Sequence, residues 1–365
     1  MSFQKNASAV RRFARLARFG TWLQALSHKL TPPPFRLLQI GSAFWQSRAL
    51  YVATRLDIAG TLGDDELASA DISARLGTDP DATGRLLRLL AAMGIFEETS
   101  AQRFRNNKTS NFLRPDRPDN VRAMILMHNT DAMSRPWYEQ LENGVRQGVP
   151  PFQLSHGKEL FDYLDGNAEL DALFSQAMSS VEALTGDSFA TDFDWGRFAR
   201  IIDVGGSLGA KSAAILKHHP QLTALVVDRP QVIAQAQSRQ TERQQFVVSD
   251  MLASVPPARD EQDIYLLAAI LHAFDDATCR QVLDNLATAC AGTGARIALL
   301  EMVLPESHAD LIGASFDLQM FMGTRGRERT LSQWQALFAA SGLELEEVVG
   351  LQSFGNILLL RVSGH

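Results

Sequence analysis

The sequence predicts an α/β protein: a doubly wound, largely parallel sheet preceded by a mostly helical region. Three observations predict it. After residue 200, short apolar runs alternate with helical segments. The first run, Arg200 to Val204, flows into a glycine cluster, Asp203-Val204-Gly205-Gly206-Ser207-Leu208-Gly209. Before residue 110, helix, turn, helix and hairpin follow one another in the outline of a winged helix.

A chain of 365 residues has room for two domains of ordinary size. With 45% apolar and 21% charged residues it has a globular composition. Two cysteines, Cys279 and Cys290, exclude a disulfide framework and suit a reducing cytoplasm. No apolar run approaches the roughly 18 residues of a membrane helix. The first 35 residues hold Lys5, Arg11, Arg12, Arg15, Arg18 and Lys29 and no acid. Val10, Phe13, Leu16, Phe19 and Leu23 recur among them at helical spacing. Such an arm suits a partner subunit; a membrane surface or a transit peptide is the alternative.

Thr31-Pro32-Pro33-Pro34 ends the arm, and helical patterning resumes from Leu37 to about Leu62. Asp71 to Leu76 is a short helix. Asp79 caps the next, with Pro80 first, Asp81 to Met93 as its body and Gly94 as its stop. Ile95 to Glu98 and Arg103 to Arg105 make the hairpin. Acidic and basic side chains balance over residues 36–150, which argues against a DNA-reading helix. Residues 110–190 read as helical, with loops at Gly148 to Gly157 and Leu164 to Ala168. Asp192 to Arg200 is the joint. Beyond it, strands at 200–204, 222–228, 245–248, 263–269 and 296–302 alternate with helices at 210–218, 230–237 and 276–289. Right-handed crossovers place the strand C-termini on one edge, where such sheets bind ligands.

Chemistry gathers at those ends. The glycine cluster lacks the Gly-Lys-Ser/Thr of a Walker loop and the full Gly-x-Gly-x-x-Gly of a dehydrogenase. Asp228, ending the second strand, is placed to accept a nucleoside's ribose hydroxyls, a feature that nicotinamide and adenosylmethionine sites share. Asp250 suits an adenine amino group, and Met251 its ring. His272 stands just past the apolar strand Asp263 to Ala269.

Six ordered motifs carry a resemblance: Asp203 to Gly209, Val227-Asp228-Arg229-Pro230, Asp250-Met251, Ile270-Leu271-His272, Leu300-Glu301-Met302-Val303-Leu304-Pro305 and Arg327-Glu328-Arg329-Thr330. From about Leu37 to Val362 the chain resembles S-adenosylmethionine-dependent O-methyltransferases, the class of plant caffeate and hydroxyindole enzymes and bacterial antibiotic-tailoring enzymes. Arg85 to Leu90 and Gly94-Ile95-Phe96 resemble its winged-helix dimerisation domain. The resemblance implies a basic arm (1–35), a dimerising and substrate-lining domain (36–190) and a Rossmann-like class I methyltransferase domain (191–365). It implies S-adenosylmethionine as cofactor, held by Asp203, Gly205, Gly206, Ser207, Asp228, Arg229, Asp250 and Met251. It implies His272 as general base, Glu301 as the carboxylate orienting it and Glu328 as a second flanking carboxylate; an ion pair of Glu328 with Arg327 or Arg329 is the alternative. Met124, Met127, Asn129, Trp137, Phe152, Met178, Phe316 and Met320 would line the site of a small aromatic acceptor. A cytoplasmic homodimer of secondary metabolism is expected, without metal, nucleic acid or stable membrane association.

The chain departs from the family's pattern at Ser207, where a third glycine is usual. It also departs at Ala273 and Phe274, in place of Asp and Trp, and at Ala268, where plant members carry lysine. N-methylation, a non-methylating reaction on the same fold (hydroxylation, decarboxylation or cyclisation) and a non-enzymatic DNA-binding dimer are the other readings.

Overall fold

The computed structural model describes residues 2–364, with the backbone alone for Ser27, His28 and residues 182–185. Two compact units emerge: a sheet unit (residues up to Trp22, Gln147–Pro151 and from Gly186 on) and a helical unit (Leu23–Arg146 and Phe152–Thr185).

In the helical unit the expected turn chemistry is present. Pro80 opens the helix Pro80–Ala92, and the Asp79 carboxylate accepts from Ala82 N at 2.8 Å. Thr83, Gly84, Leu87 and Leu90 are its buried stripe. The strand β1 (Glu66–Ala68), which the sequence reading passed over, pairs antiparallel with β3 (Arg103–Asn106), and β3 pairs with β2 (Phe96–Ser100). The helical patterning from Leu37 to about Leu62 falls on three helices: Pro33–Gly41, Phe44–Arg55 and Ile58–Leu62. The proline run ends one helix at Leu30 and starts the next, because a proline lacks only an N–H that a first turn does not use. Asp57, at a left-handed φ of 57°, makes the second break. A further helix, Pro151–His156, occupies the expected loop at 148–157.

The sheet unit holds seven strands: β4 (Arg200–Val204), β5 (Thr223–Asp228), β6 (Gln244–Val248), β7 (Asp263–Ala268), β8 (Arg296–Glu301), and, after the two-residue β9 (Val303–Leu304) and β10 (Arg329–Thr330), β11 (Leu343–Gly350) and β12 (Asn356–Val362). Their order is β11-β12-β8-β7-β4-β5-β6. The five strands from β8 to β6 run parallel; β12 and β11, absent from the sequence reading, are antiparallel. Alternation along each strand feeds two cores. Ile202, Val204, Leu267 and Leu299 pack with Leu283 and Trp334, while Ile201, Ile264, Leu266 and Ile357 pack with Trp195 and Phe193.

The amino terminus joins this unit rather than standing off as a separate arm. Gln4 bridges Phe193, the Phe3 ring stacks on Phe193 at 5.5 Å, and the Gln4 side chain bonds the Gly350 backbone at both N–H and C=O. The helix Ala7–Leu30 begins there, with Phe13 edge-on to Phe354. No helix among the described residues is long and apolar enough to cross a membrane.

Candidate active site

Parallel strands deliver their last residues to one edge, and the chemistry-bearing side chains stand there. β4 ends at Val204, and the chain turns through Gly205 at φ +69°. A Cβ on Gly205 would meet Ile270 Cδ1 at 2.8 Å, and one on Gly206 would meet Asp203 Cγ at 2.6 Å. Side chains there would fill the cradle. Ser207 has φ +51°, the left-handed region glycine prefers, so the departure from three glycines keeps the glycine's conformation with some strain.

Asp228 ends β5. Its Oδ2 accepts Ser207 N at 2.9 Å and its Oδ1 accepts Arg229 N at 2.7 Å. One acceptor position remains on each oxygen, which suits a ribose diol beside the turn. Asp250 follows β6 and is exposed, with Oδ1 accepting Leu252 N at 2.9 Å and thereby holding its own turn. Met251 is half-buried against the core, its carbonyl taken by Asn285. Arg229 is exposed. Asp203 differs from these: it is buried, it accepts from Ser212 Oγ at 2.6 Å, and burial pushes its carboxyl up to about 6 despite that bond. The glycine turn, the acid beside it and the turn after β6 make a donor set that fits a nucleoside carrying an amino-acid tail.

His272 sits in the turn after β7, on a short helical segment Leu271–Ala273, its side chain 14% exposed. The strand exit is strained at Ala269, at φ +54°. The carboxylate that meets the imidazole is Glu328: its Oε1 lies 2.7 Å from Nδ1. This corrects the expected division of labour. Glu301, closing β8, turns its Oε1 to the backbone N–H groups of Ile270 (3.1 Å) and Leu271 (2.9 Å), and so braces the loop that carries the histidine. The alternative for Glu328 also falls, because Arg327 and Arg329 both pair with Asp276. The three side chains bring donor atoms within 4.8 Å of one another. Both glutamates are buried, and the Oε2 of each has no protein partner. Burial alone would lower the pKa of His272; Glu301, Glu328 and the Ala269 carbonyl outweigh it and hold it above the ordinary histidine value. Burial raises the Glu301 carboxyl, with the His272 charge pulling the other way.

Several residues that the sequence reading did not place in the site build this corner. Arg329 is fully buried; it donates to the carbonyls of Leu271 (3.2 Å) and Phe274 (3.0 Å), grips Asp276 at 2.8 Å and lies over the Trp334 ring. Gly326 is required because a Cβ there would fall 1.9 Å from the His272 carbonyl oxygen. Asp317 accepts Glu328 N at 2.9 Å. Two charged residues flanking the matched Glu328, in a stretch with Gly326, were the available signal.

Of the expected acceptor-lining residues, Phe316 holds its ring 6.0 Å from the His272 imidazole. Met320 shares its helix, Leu311–Gly323, and both are half-buried. The other six belong to the helical unit. Met127 and Phe152 are buried there, Phe152 against His156 and Tyr163. Asn129 is buried with Arg48 on its carbonyl. Met124 and Trp137 are half-buried and Met178 is 37% exposed.

Residues 138–344 match the model of an O-methyltransferase domain, and residues 38–116 match that of an O-methyltransferase dimerisation domain. The chain is 31% identical to phenazine O-methyltransferase PhzM of Lysobacter antibioticus, over 86% of this chain and 92% of that protein. It is 30% identical to phenazine-1-carboxylate N-methyltransferase of Pseudomonas aeruginosa, over 86% of this chain and 93% of that one. The crystal structure of CalO1, a methyltransferase in calicheamicin biosynthesis in its SAH-bound form, superposes with a TM-score of 0.79 at 29% identity, covering 90% of this chain and 98% of that one. The glycine turn, the acids at the strand ends and the histidine between two glutamates are thus set in a chain that belongs to the O-methyltransferase family, with that family's dimerisation domain ahead of its catalytic one.

Proposed function

We propose that the protein methylates a hydroxyl, phenolic in character, on a small aromatic or polyketide-like metabolite, with S-adenosylmethionine as donor and His272 as general base. The observation that carries this reading is the imidazole held by Glu328 at 2.7 Å at the same sheet edge as the glycine turn and Asp228. When bound, S-adenosylmethionine supplies an electrophilic methyl group on a sulfonium sulfur. Gly205, Gly206 and Ser207 would seat its amino-acid end, Asp228 its ribose, and Asp250 and Met251 its adenine; Arg229 flanks the ribose acid. Asp203 supports the turn from beneath, through Ser212.

His272 takes the acceptor's proton at Nε2, the nitrogen opposite the one Glu328 holds. Glu328 fixes the ring's tautomer and stabilises the imidazolium as it forms. Glu301 holds the loop through Ile270 and Leu271. A phenol near pKa 10 gives up its proton to an imidazole only as the oxygen becomes bonded to carbon, so alignment does much of the work. Phe316, on one side of the ring, suits a flat acceptor and keeps water off. Met320, Met124, Met127, Asn129, Trp137, Phe152 and Met178 are further wall candidates, the methionines for their adaptability to flat rings. The dimerisation domain supports a homodimer.

A phenolic panel with labelled donor tests this, and His272→Ala should lower turnover about 100-fold or more, the usual scale for a lost general base. N-methylation, the reaction named for one relative, makes the opposite forecast. A neutral amine needs no base before attack, so an enzyme that methylates only amines, indifferent to His272→Ala, would replace O-methylation with that reading.

A further inference from the structure

The corner around His272 holds more acid than the proton transfer uses. Glu328 gives its Oε1 to the Nδ1 side of the imidazole, and Glu301 gives its Oε1 to the amides of Ile270 and Leu271. The other oxygen of each glutamate, Oε2, is buried and has no hydrogen-bond partner among the described residues. Glu301 and Glu328 are only 3% and 2% exposed, so bulk water does not satisfy those oxygens. The arginines on either side of Glu328 do not balance its charge either, because Arg327 and Arg329 both pair with Asp276. Two ionised carboxylates around one imidazole leave negative charge in excess even when the ring is protonated. Uncompensated buried charge is costly.

That imbalance and the donor types together select a ligand. One donor atom from each of the three side chains lies within 4.8 Å of the other two. One imidazole nitrogen and two carboxylate oxygens are a donor set for zinc, which is often held by three protein ligands with a fourth position open. Zinc bonds of about 2.0–2.1 Å in a tetrahedron hold their donors ~3.3 Å apart, so side-chain shifts of up to about 1.5 Å close the set without any further residue. A doubly charged ion also offsets both carboxylates. Magnesium is the poorer fit, since it takes oxygen ligands and gives up its waters reluctantly, and this corner is buried.

The geometry points to a site for a zinc-type divalent cation at His272 Nδ1, Glu301 and Glu328, with that ion as a reversible inhibitor of the protein. This departs from the sequence expectation of a site without metal. The site stands on the placement of side chains; the inhibition rests on His272 being the base proposed above. In the working state the neutral ring carries its proton on Nδ1, toward Glu328. The ion takes the Nδ1 lone pair, and the ring's proton passes through solvent to Nε2. Nε2 then has no lone pair for the acceptor's proton. Glu328 turns from the ring to the ion, while Glu301 keeps Ile270 and Leu271 through Oε1 and meets the ion with Oε2.

Calorimetric titration of zinc chloride into the chelator-treated full chain, free of any affinity tag, tests this. The variants are Glu301→Gln and Glu328→Gln, with circular dichroism as the check on folding. His218→Ala is the control, since His218 meets Asp187 at 3.4 Å away from this corner. The expected result is one ion per chain in the wild type and in His218→Ala, bound at least ~100-fold more weakly in each glutamine variant, which is the most that losing a group one step removed from a metal costs. Zinc bound equally by every variant, zinc lost in His218→Ala, magnesium bound as tightly as zinc, or no binding by the wild type would each overturn the site. Should a glutamine variant fail to fold, cobalt chloride with the wild type decides: the strong visible absorption of a four-coordinate ion supports the site, and the weak absorption of an octahedral one overturns it. Turnover of a phenolic acceptor should fall as zinc fills the site and return when a chelator removes it. Zinc that fills the site and leaves turnover unchanged would uphold the site and overturn the inhibition, and His272 as base with it.

Discussion

At the scale of the residue, the chemistry turns on which carboxylate reaches which atom. Both glutamates were legible in the sequence as members of ordered motifs, but their division of labour was not. Glu301 and His272 are 29 positions apart and Glu328 follows 27 later, so only the packing of three loops decides that Nδ1 meets Glu328 while Glu301 takes two backbone amides. The two should therefore part under mutation. Glu328→Gln should cost turnover on the order of 100-fold, since the ring loses its orientation and one of its two neighbouring counter-charges. Glu301→Gln keeps an oxygen for Ile270 and Leu271, and its turnover at the pH optimum should stay within about tenfold of wild type. Equal losses would contradict the geometry. The pH profile carries a sign. The glutamates hold His272 above its ordinary value, and the base works when neutral, so the acid limb of kcat should lie above the ordinary histidine range and move to lower pH in Glu328→Gln. Asp203 gives a second one. Its folded pKa of about 6 exceeds the unfolded value, so its contribution to stability is complete below the unfolded value and is lost as pH rises through about 6. That loss is roughly 3 kcal/mol by the linkage arithmetic. Urea titrations should find Asp203→Asn flatter across this window and more stable at pH 7.5; a parallel slope would refute the assignment.

At the scale of the element, legibility followed how local each signal was. The cap at Asp79, the glycine turn and the buried parallel strands announce themselves within a few residues, and all stand where the sequence put them. The edge pair β11 and β12 was not read: Leu343 to Gly350 holds three glutamates, whose alternation with apolar residues is broken by a register shift between Leu345 and Glu347. The break at Asp57 was also invisible, since a single left-handed residue inside an apolar pattern leaves no periodicity of its own. The loop that carries His272 is an element held from below. Arg329 satisfies carbonyls of Leu271 and Phe274 and anchors the first turn of the helix Asp276–Cys290 through Asp276. Arg329→Met would strip those carbonyls of their charged donor and should destabilise the fold by about 2–4 kcal/mol, the scale of two buried carbonyls losing a charged partner. Chemical denaturation measures this, and a loss under about 1 kcal/mol, below that range, would show the loop standing without it.

At the scale of the whole molecule, the fold was legible in the sequence and the acceptor was not. A parallel sheet with its chemistry at one edge follows from alternation and a glycine turn. The side chains expected to line the acceptor, Met124, Trp137, Phe316 and Met320 among them, are each as fit for packing as for binding, and nothing in their spacing separates the two uses. The amino terminus was the largest surprise. Its cations drew attention, while Phe3 and Gln4, which fasten it to the sheet unit, carry no pattern at all. The central claim is that the glycine turn and Asp228 form an adenosylmethionine site serving His272. Calorimetric titration with S-adenosylhomocysteine tests it without knowledge of the acceptor, using the wild type, Asp228→Ala and His272→Ala. Micromolar binding in the wild type and His272→Ala, abolished in a folded Asp228→Ala, is the predicted result. No binding in the wild type, or binding indifferent to Asp228, would contradict the account.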